Sequence, residues 1–151
     1  PRKPLIVFTP KAMLRLRGAT SSVEDFTRGR FEPVLDDDRG LTRDAVKRVL
    51  VHSGKIHWDL RNELEKNPNP EIALVRLEQL YPTPMDALKK ITDSYPNAEL
   101  FWVQDEPEFD KVRERGFRVV ARAASASPAT GSSKVHAIEQ ADLLGRALTL
   151  G

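Results

Sequence analysis

The chain has 151 residues, 40% hydrophobic and 30% charged, with 24 basic and 22 acidic side chains for a formal charge of +2. That length supports one domain with a real core, and no apolar run approaches the roughly 20 residues that span a bilayer. The absence of cysteine excludes disulfides and thiolate zinc sites and suits a reducing cytoplasm, and near-balanced charge argues against a nucleic-acid partner.

Residues 5–8 form a short apolar run closed by Thr9 and Pro10, which reads as a buried strand. Residues 11–17 suit one or two helical turns anchored by Met13, Leu14 and Leu16. From about 18 to 44 the chain lacks sustained periodicity and reads as a surface connection, tacked to the body by Phe26, Phe31, Val34 and Leu35. A second strand follows at 46–51, and Ser53 and Gly54 turn the chain into a helix at 56–66. Asn67, Pro68, Asn69 and Pro70 end that helix. A third strand spans 72–76, and Pro84 opens a helix with Met85, Leu88 and Ile91 as its apolar stripe. Strands at 100–103 and 117–121 precede a last helix at 135–148, expected to bury Val135, Ile138, Leu143, Leu144 and Ala147. Ser132 or Ser133 is placed to cap it. Strands alternating with helices require crossovers over the sheet faces. The pattern predicts a three-layer α/β fold with a mixed or mostly parallel sheet of about five strands.

No constellation completes an active site. Ser53, Gly54 and Lys55 follow a strand and enter a helix, but the glycine-rich run of a phosphate loop is missing and Ile56 stands where it needs Ser or Thr. His52 and His57 lie near one another across this turn without the three or four convergent ligands of a metal site, and ordinary surface or packed histidines are the simpler reading. Trp58 and Trp102 read as packing aromatics. Asp105 and Glu106 are adjacent on an extended segment, so they point to opposite faces and make a poor acid–base pair. One of them is expected to receive loop N–H groups or an arginine. Ser125 and Ser127 lie among small residues without a nucleophile-elbow motif. No catalytic, cofactor-binding or metal-binding residue is assigned.

Several runs occur in a common order: Lys3 to Lys11 (KPLIVFTPK), Ser53 to Lys55, and Ala73 to Pro82 (ALVRLEQLYP). VQDEP at 103–107, ASASPATG at 124–131 and Ser133 to His136 follow. Together they resemble the C-terminal domain of the 2-oxoglutarate dehydrogenase E1 component and its actinobacterial decarboxylase relatives, across nearly the whole chain. The resemblance implies a transketolase-like C-terminal domain over 1–151. The complete enzyme of that family uses thiamine diphosphate and magnesium to decarboxylate 2-oxoglutarate and passes the succinyl group to a lipoyl carrier. It implies, as partners, the preceding E1 domains, a second E1 subunit and the lipoyl-bearing succinyltransferase, in the cytoplasm and away from membranes. The family's metal-binding and activating segments are not found here, so the expected role is assembly and regulation, with the isolated chain inactive. Two departures stand out: the segment after Pro107 is shortened or replaced, and His57 stands where the family often has Tyr. The first leaves open a structural or protein-interaction module with no role in that complex.

Actinobacterial enzymes resembling this chain sense acetyl-coenzyme A through their C-terminal domain. That makes Lys11 and Arg15, four apart on a short helix, candidates for an anionic activator site, with Arg17 extending the field. A solvated basic edge or salt bridges to missing domains is the competing reading.

Overall fold

The computed structural model describes residues 3–7, 11–107, 117–123 and 132–150, and the chain divides into two compact units, Pro1–Phe31 and Glu32–Gly151. In the first unit, Lys11–Arg15 forms a 3-10 turn and Val23–Thr27 a short helix, α1, and neither buries a residue. Ser22 and Asp25 close a capping box on α1: the Ser22 hydroxyl accepts the Asp25 N–H at 3.2 Å, and the Asp25 carboxylate accepts the Ser22 N–H at 2.8 Å. A side chain at Gly29 would stand 2.2 Å from the Asp25 carbonyl oxygen, so only glycine fits this exit. Three expectations change here. Residues 18–44 contain this helix, too short to show periodicity. Leu5, Ile6 and Val7 are not a buried strand but an irregular segment, 87%, 76% and 70% exposed, while Phe8 lies outside the described residues. Phe26 and Phe31 are exposed rather than tacked down, as is Leu14.

The second unit is built on one five-stranded sheet. Its strands are β1 (Val34–Leu35), β2 (Arg48–His52), β3 (Ile72–Leu77), β4 (Glu99–Pro107) and β5 (Arg118–Arg122), in the order β1-β3-β2-β4-β5. β2, β3, β4 and β5 run parallel and β1 is antiparallel to β3, so the sheet is mixed. All five residues of β2 are buried, as expected of a central parallel strand covered on both faces.

Alternation along the strands feeds two cores. Leu50, Ile72, Leu74, Phe101 and Val103 join Ile56, Leu60 and Leu64 of α2 (Ile56–Lys66) and Leu143 and Ala147 of α4 (Ser133–Leu148). On the opposite face Val49, Val51, Ala73, Val75 and Leu77 join Leu88 of α3 (Met85–Thr92) and Tyr95. Each fully buried aliphatic side chain contributes about 1.5–3 kcal/mol, so these stripes hold the layers together. α2 has the bounds its pattern predicts, and β2 to β5 differ from theirs by a few residues at their ends. Arg48 pins α4 to the start of β2: its guanidinium donates to the carbonyls of Ala147 at 3.0 Å and Thr149 at 2.5 Å and lies over the Phe101 ring. Cationic donors at a helix C-terminus satisfy carbonyls that have no partner within the helix.

α4 corrects one expectation. Val135 and Ile138 are exposed, because its inward face runs through His136, Glu139, Gln140, Leu143 and Ala147, polar for two turns before it becomes apolar. Ser132 occupies the N-cap position, yet its side chain makes no capping bond. On α3, Met85 is likewise exposed while Leu88 carries the packing.

The three aspartates before β2 are anchors, not merely part of a surface connection. β1 covers only Arg76 and Leu77 of β3, and the earlier part of that edge is completed by side chains. The Asp37 carboxylate accepts the Leu74 N–H at 2.8 Å and the Arg39 guanidinium at 2.6 Å. Arg39 in turn donates to the Ile72 carbonyl at 2.6 Å. Asp36 accepts the Tyr95 hydroxyl and Arg43, and Asp38 accepts Arg61 of α2 at 2.6 Å. Burial alone would raise the Asp37 pKa, but Arg39 and the Leu74 amide hold it below its ordinary value. The Asp37 side chain is only 2% exposed. Asp37→Ala leaves Arg39 and the Leu74 amide without their acceptor and is expected to lower stability by about 3 kcal/mol in denaturant unfolding. A loss below about 0.5 kcal/mol, the usual surface value, would show that this staple is not needed.

Candidate functional site

In open parallel sheets ligands gather at the carboxyl ends of the strands, and here that edge carries the described titratable cluster. β2 ends at His52, and Gly54, at φ 71°, turns the backbone in the left-handed region so that α2 can start at Ile56. His52 and His57 are both buried. The His52 Nδ1 lies 2.9 Å from the Leu50 carbonyl oxygen and its Nε2 lies 2.9 Å from His57 Nδ1. A carbonyl only accepts, so neutral His52 carries its proton on Nδ1 and receives the His57 Nδ1–H at Nε2. Both His52 nitrogens are thereby engaged. The packed-histidine reading holds, and among the described residues no group of three or more His, Cys, Asp or Glu is gathered for a metal.

Burial pushes the His52 pKa down to about 4, only partly opposed by the bond to Leu50. Burial, then the neighbouring His52 and Arg76, push that of His57 down to about 3. Trp58 meets His57 edge-on, and Arg76 lies over the Trp58 ring.

Beside this pair lies a second cluster, between α2, the ends of β4 and β5, and the first turns of α4. Lys55 Nζ is 2.5 Å from the Asp59 carboxylate and 3.6 Å from that of Asp105. Burial would lower the Lys55 pKa, but the bond to Asp59 and the charge of Asp105 carry it above its ordinary value. The ammonium is therefore a committed structural cation, and the resemblance to a phosphate loop ends there. Gln140 donates to Asp59 at 3.1 Å. Arg122 donates to the Asp105 backbone carbonyl and lies 3.4 Å from His136 Nδ1 and 3.7 Å from Glu139. The Asp105 carboxylate faces a lysine instead of the expected loop N–H groups or arginine, and Arg122 reaches its backbone carbonyl. Glu106 is exposed. Among the described residues, Asp105 Oδ1 and Gln140 Oε1 are buried acceptors without a donor.

The sequence reading missed Asp59, Arg122, Glu139 and Gln140. The signal for Glu139 and Gln140 was a polar stripe at positions 136, 139 and 140 of α4, masked by the stronger apolar pair Val135 and Ile138. Lys55 and Arg122 are each paired with carboxylates here, so the arrangement ties α2 and α4 to the sheet edge. Ser125 and Ser127 lie outside the described residues. Trp102 donates its indole N–H to Gln104 at 2.7 Å and packs on the α3-side core, as a packing aromatic should.

Lys11 and Arg15 are both exposed and sit on the 3-10 turn of the first unit. At about three residues per turn, positions four apart diverge by roughly 120°, so a shared anion would be reached by their long side chains, not by a common face.

The histidine pair makes a signed prediction. The unfolded chain takes up protons near pH 6.5, whereas the folded pair does not until far lower pH. Stability is therefore full above about 6.5 and falls as pH drops toward 4. His57→Asn keeps an N–H near the Nδ1 position and should flatten the melting-temperature slope between pH 7 and pH 5, by about 1 kcal/mol per pH unit in free-energy terms. An unchanged slope would remove His57 from this role. Loss of the Asp37 staple acts at lower pH, below the ordinary carboxylate value of 3.8.

Comparison with known proteins adds the last observation. The profile of the family described as 2-oxoglutarate dehydrogenase C-terminal matches residues 20–111. The multifunctional 2-oxoglutarate metabolism enzyme of Mycobacterium sp. strain JLS is 40% identical over 165 aligned residues, covering 97% of this chain and 13% of the relative. The enzyme of the same name from Mycolicibacterium vanbaalenii is 39% identical over 164 residues, covering 96% and 13%. The chain thus spans about an eighth of the length of the curated relatives it matches.

Proposed function

This chain belongs to the 2-oxoglutarate dehydrogenase C-terminal family, and from that premise we propose that it is the assembly and regulatory domain of a thiamine-diphosphate-dependent 2-oxoglutarate dehydrogenase E1 component. The whole enzyme would oxidatively decarboxylate 2-oxoglutarate and hand the succinyl group to a lipoyl carrier. The observation that supports a non-catalytic role is the pairing of both cations of the strand-end cluster, where Lys55 is held by Asp59 and Asp105 and Arg122 by the Asp105 carbonyl and Glu139. The mixed five-stranded sheet with helices on both faces supports a transketolase-like C-terminal assignment.

The described residues do not fit thiamine diphosphate or magnesium. Among them no carboxylate or imidazole trio is gathered for a metal, and the cation nearest the β2–α2 turn is already paired. Those groups would be held by the rest of the enzyme, and no step is routed through them here. The partners of this reading are the preceding E1 domains, a second E1 subunit and the lipoyl-bearing succinyltransferase.

The test is turnover with 2-oxoglutarate, thiamine diphosphate, magnesium and an electron acceptor. The purified chain alone should give no rate above a protein-free control. Co-expression with the remaining E1 domains should restore assembly and activity. Turnover by the chain alone would overturn the non-catalytic role, and failure to associate would favour an interaction module outside that complex.

Lys11 and Arg15 remain the proposed anionic activator site, with acetyl-coenzyme A as the ligand whose phosphates suit two long cations. Changing both to Ala in the assembled enzyme should cut acetyl-coenzyme A activation by about tenfold or more, the equivalent of about 1.4 kcal/mol of coupling. Unchanged activation and binding with assembly intact would remove these two residues from the site.

A further inference from the structure

The first unit sets a hydroxyl beside two cations that the fold leaves uncommitted. We propose that Thr20 is a phosphorylation site, read by a protein kinase whose substrate groove is acidic. The inference goes beyond the proposed function and does not depend on an activator binding Lys11 and Arg15.

Arg17 stands three residues before Thr20 and Arg15 five, in the run Arg15–Leu16–Arg17–Gly18–Ala19–Thr20. No other serine or threonine of the sequence has a basic residue at both positions. Thr42, Ser125 and Thr149 have an arginine at the nearer position alone. Those arginines, Arg39, Arg122 and Arg146, donate to sheet carbonyls at Ile72, Asp105 and Ala121, so they are not free to mark a hydroxyl. Arg15 and Arg17 are exposed, and among the described residues neither guanidinium has an ion-pair partner. Kinases choose substrates by such charge patterns, the cations that flank the hydroxyl meeting acids of the groove.

Access and chemistry select Thr20 over its neighbours. It is exposed and lies outside helix and strand, and its hydroxyl makes one surface bond, to the Arg17 carbonyl at 2.9 Å. Oγ1 keeps its lone pairs for attack. The Ser22 hydroxyl is instead engaged in the capping box, donating to the Asp25 carboxylate at 2.9 Å and accepting the Asp25 N–H at 3.2 Å. A phosphate on Ser22 would be pressed against that carboxylate. Ser21 has neither arginine at the required spacing. The step moves the γ-phosphoryl group of a nucleoside triphosphate to Thr20. A P–O bond forms to Oγ1, the bridging P–O bond to the β-phosphate breaks and the nucleoside diphosphate leaves. The hydroxyl proton passes to the carboxylate base of the kinase. Residues 11–20 hold three cations and no acid. A phosphate of about −2 brings that stretch to a net charge of about +1 and gives Arg15 and Arg17 an anion to bind. The modified hydroxyl belongs to the first unit and the sheet to the second.

Peptide mapping by mass spectrometry tests the inference on the complete protein isolated from its own cells, with and without phosphatase treatment. Phosphate is expected on Thr20, and the phosphatase should remove it. In a second arm the purified protein is incubated with magnesium-ATP and a kinase selective for arginine three and five residues before the acceptor. Thr20→Ala, and Arg15→Ala combined with Arg17→Ala, should each lower the initial rate of incorporation about tenfold or more. Ser21→Ala and Ser22→Ala should leave the phosphate on Thr20. Unchanged amide protection of β2 and β4 in every variant separates lost recognition from lost folding. Phosphate on Ser21 or Ser22 instead, an unmodified Thr20 peptide in growing and in starved cells alike, or incorporation that ignores the arginines would overturn the inference.

Discussion

The Leu74 N–H and the Ile72 carbonyl point out of a sheet edge that the two-residue β1 does not reach, and the Asp37–Arg39 pair receives both. An unpaired buried backbone group costs as much as a lost hydrogen bond, and β3 packs against the fully buried β2. Closing this edge with a carboxylate and a guanidinium lets a short sheet behave as a wider one. The same loop reaches Tyr95 through Asp36 and α2 through Asp38, so one aspartate run ties together the edge, the α3-side core and the α2 layer.

At the carboxyl ends of the strands the same economy recurs. Lys55, Asp59, Asp105, Arg122, Glu139 and Gln140 would be ordinary candidates for chemistry if their charges were free. The geometry spends them on each other and on the Asp105 backbone. A half-buried network of this kind fixes where α2 and α4 sit on the sheet more than it adds stability.

The sequence was legible where local pattern and packing agree. Ile56, Leu60 and Leu64 repeat at helical spacing, Asn67 and Pro68 stop the helix, and α2 follows. β2 to β5 read correctly because parallel strands are short continuous apolar runs, whereas the two-residue antiparallel β1 was hidden in the stretch taken for a connection. The same rule misled at Leu5 to Val7, an apolar run that lies exposed and outside any strand. It misled again at Val135 and Ile138, since the inward face of α4 begins with His136, Glu139 and Gln140, whose partners Arg122 and Asp59 are distant in sequence. Asp37 was invisible for the same reason. An aspartate triplet in a glycine- and proline-bearing stretch reads as solvated until β3 is placed beside it.

The central claim is that the strand-end cluster positions helices and takes no part in turnover, and Lys55→Met in the complete enzyme tests it most directly. With kcat per active site measured alongside the melting temperature, the expected result is a lower melting temperature, from two carboxylates left without their cation, and a kcat within about twofold of the parent. A kcat reduced 100-fold or more at an unchanged melting temperature would contradict it, because only a group acting on the reacting atoms, or on their positioning, produces that split.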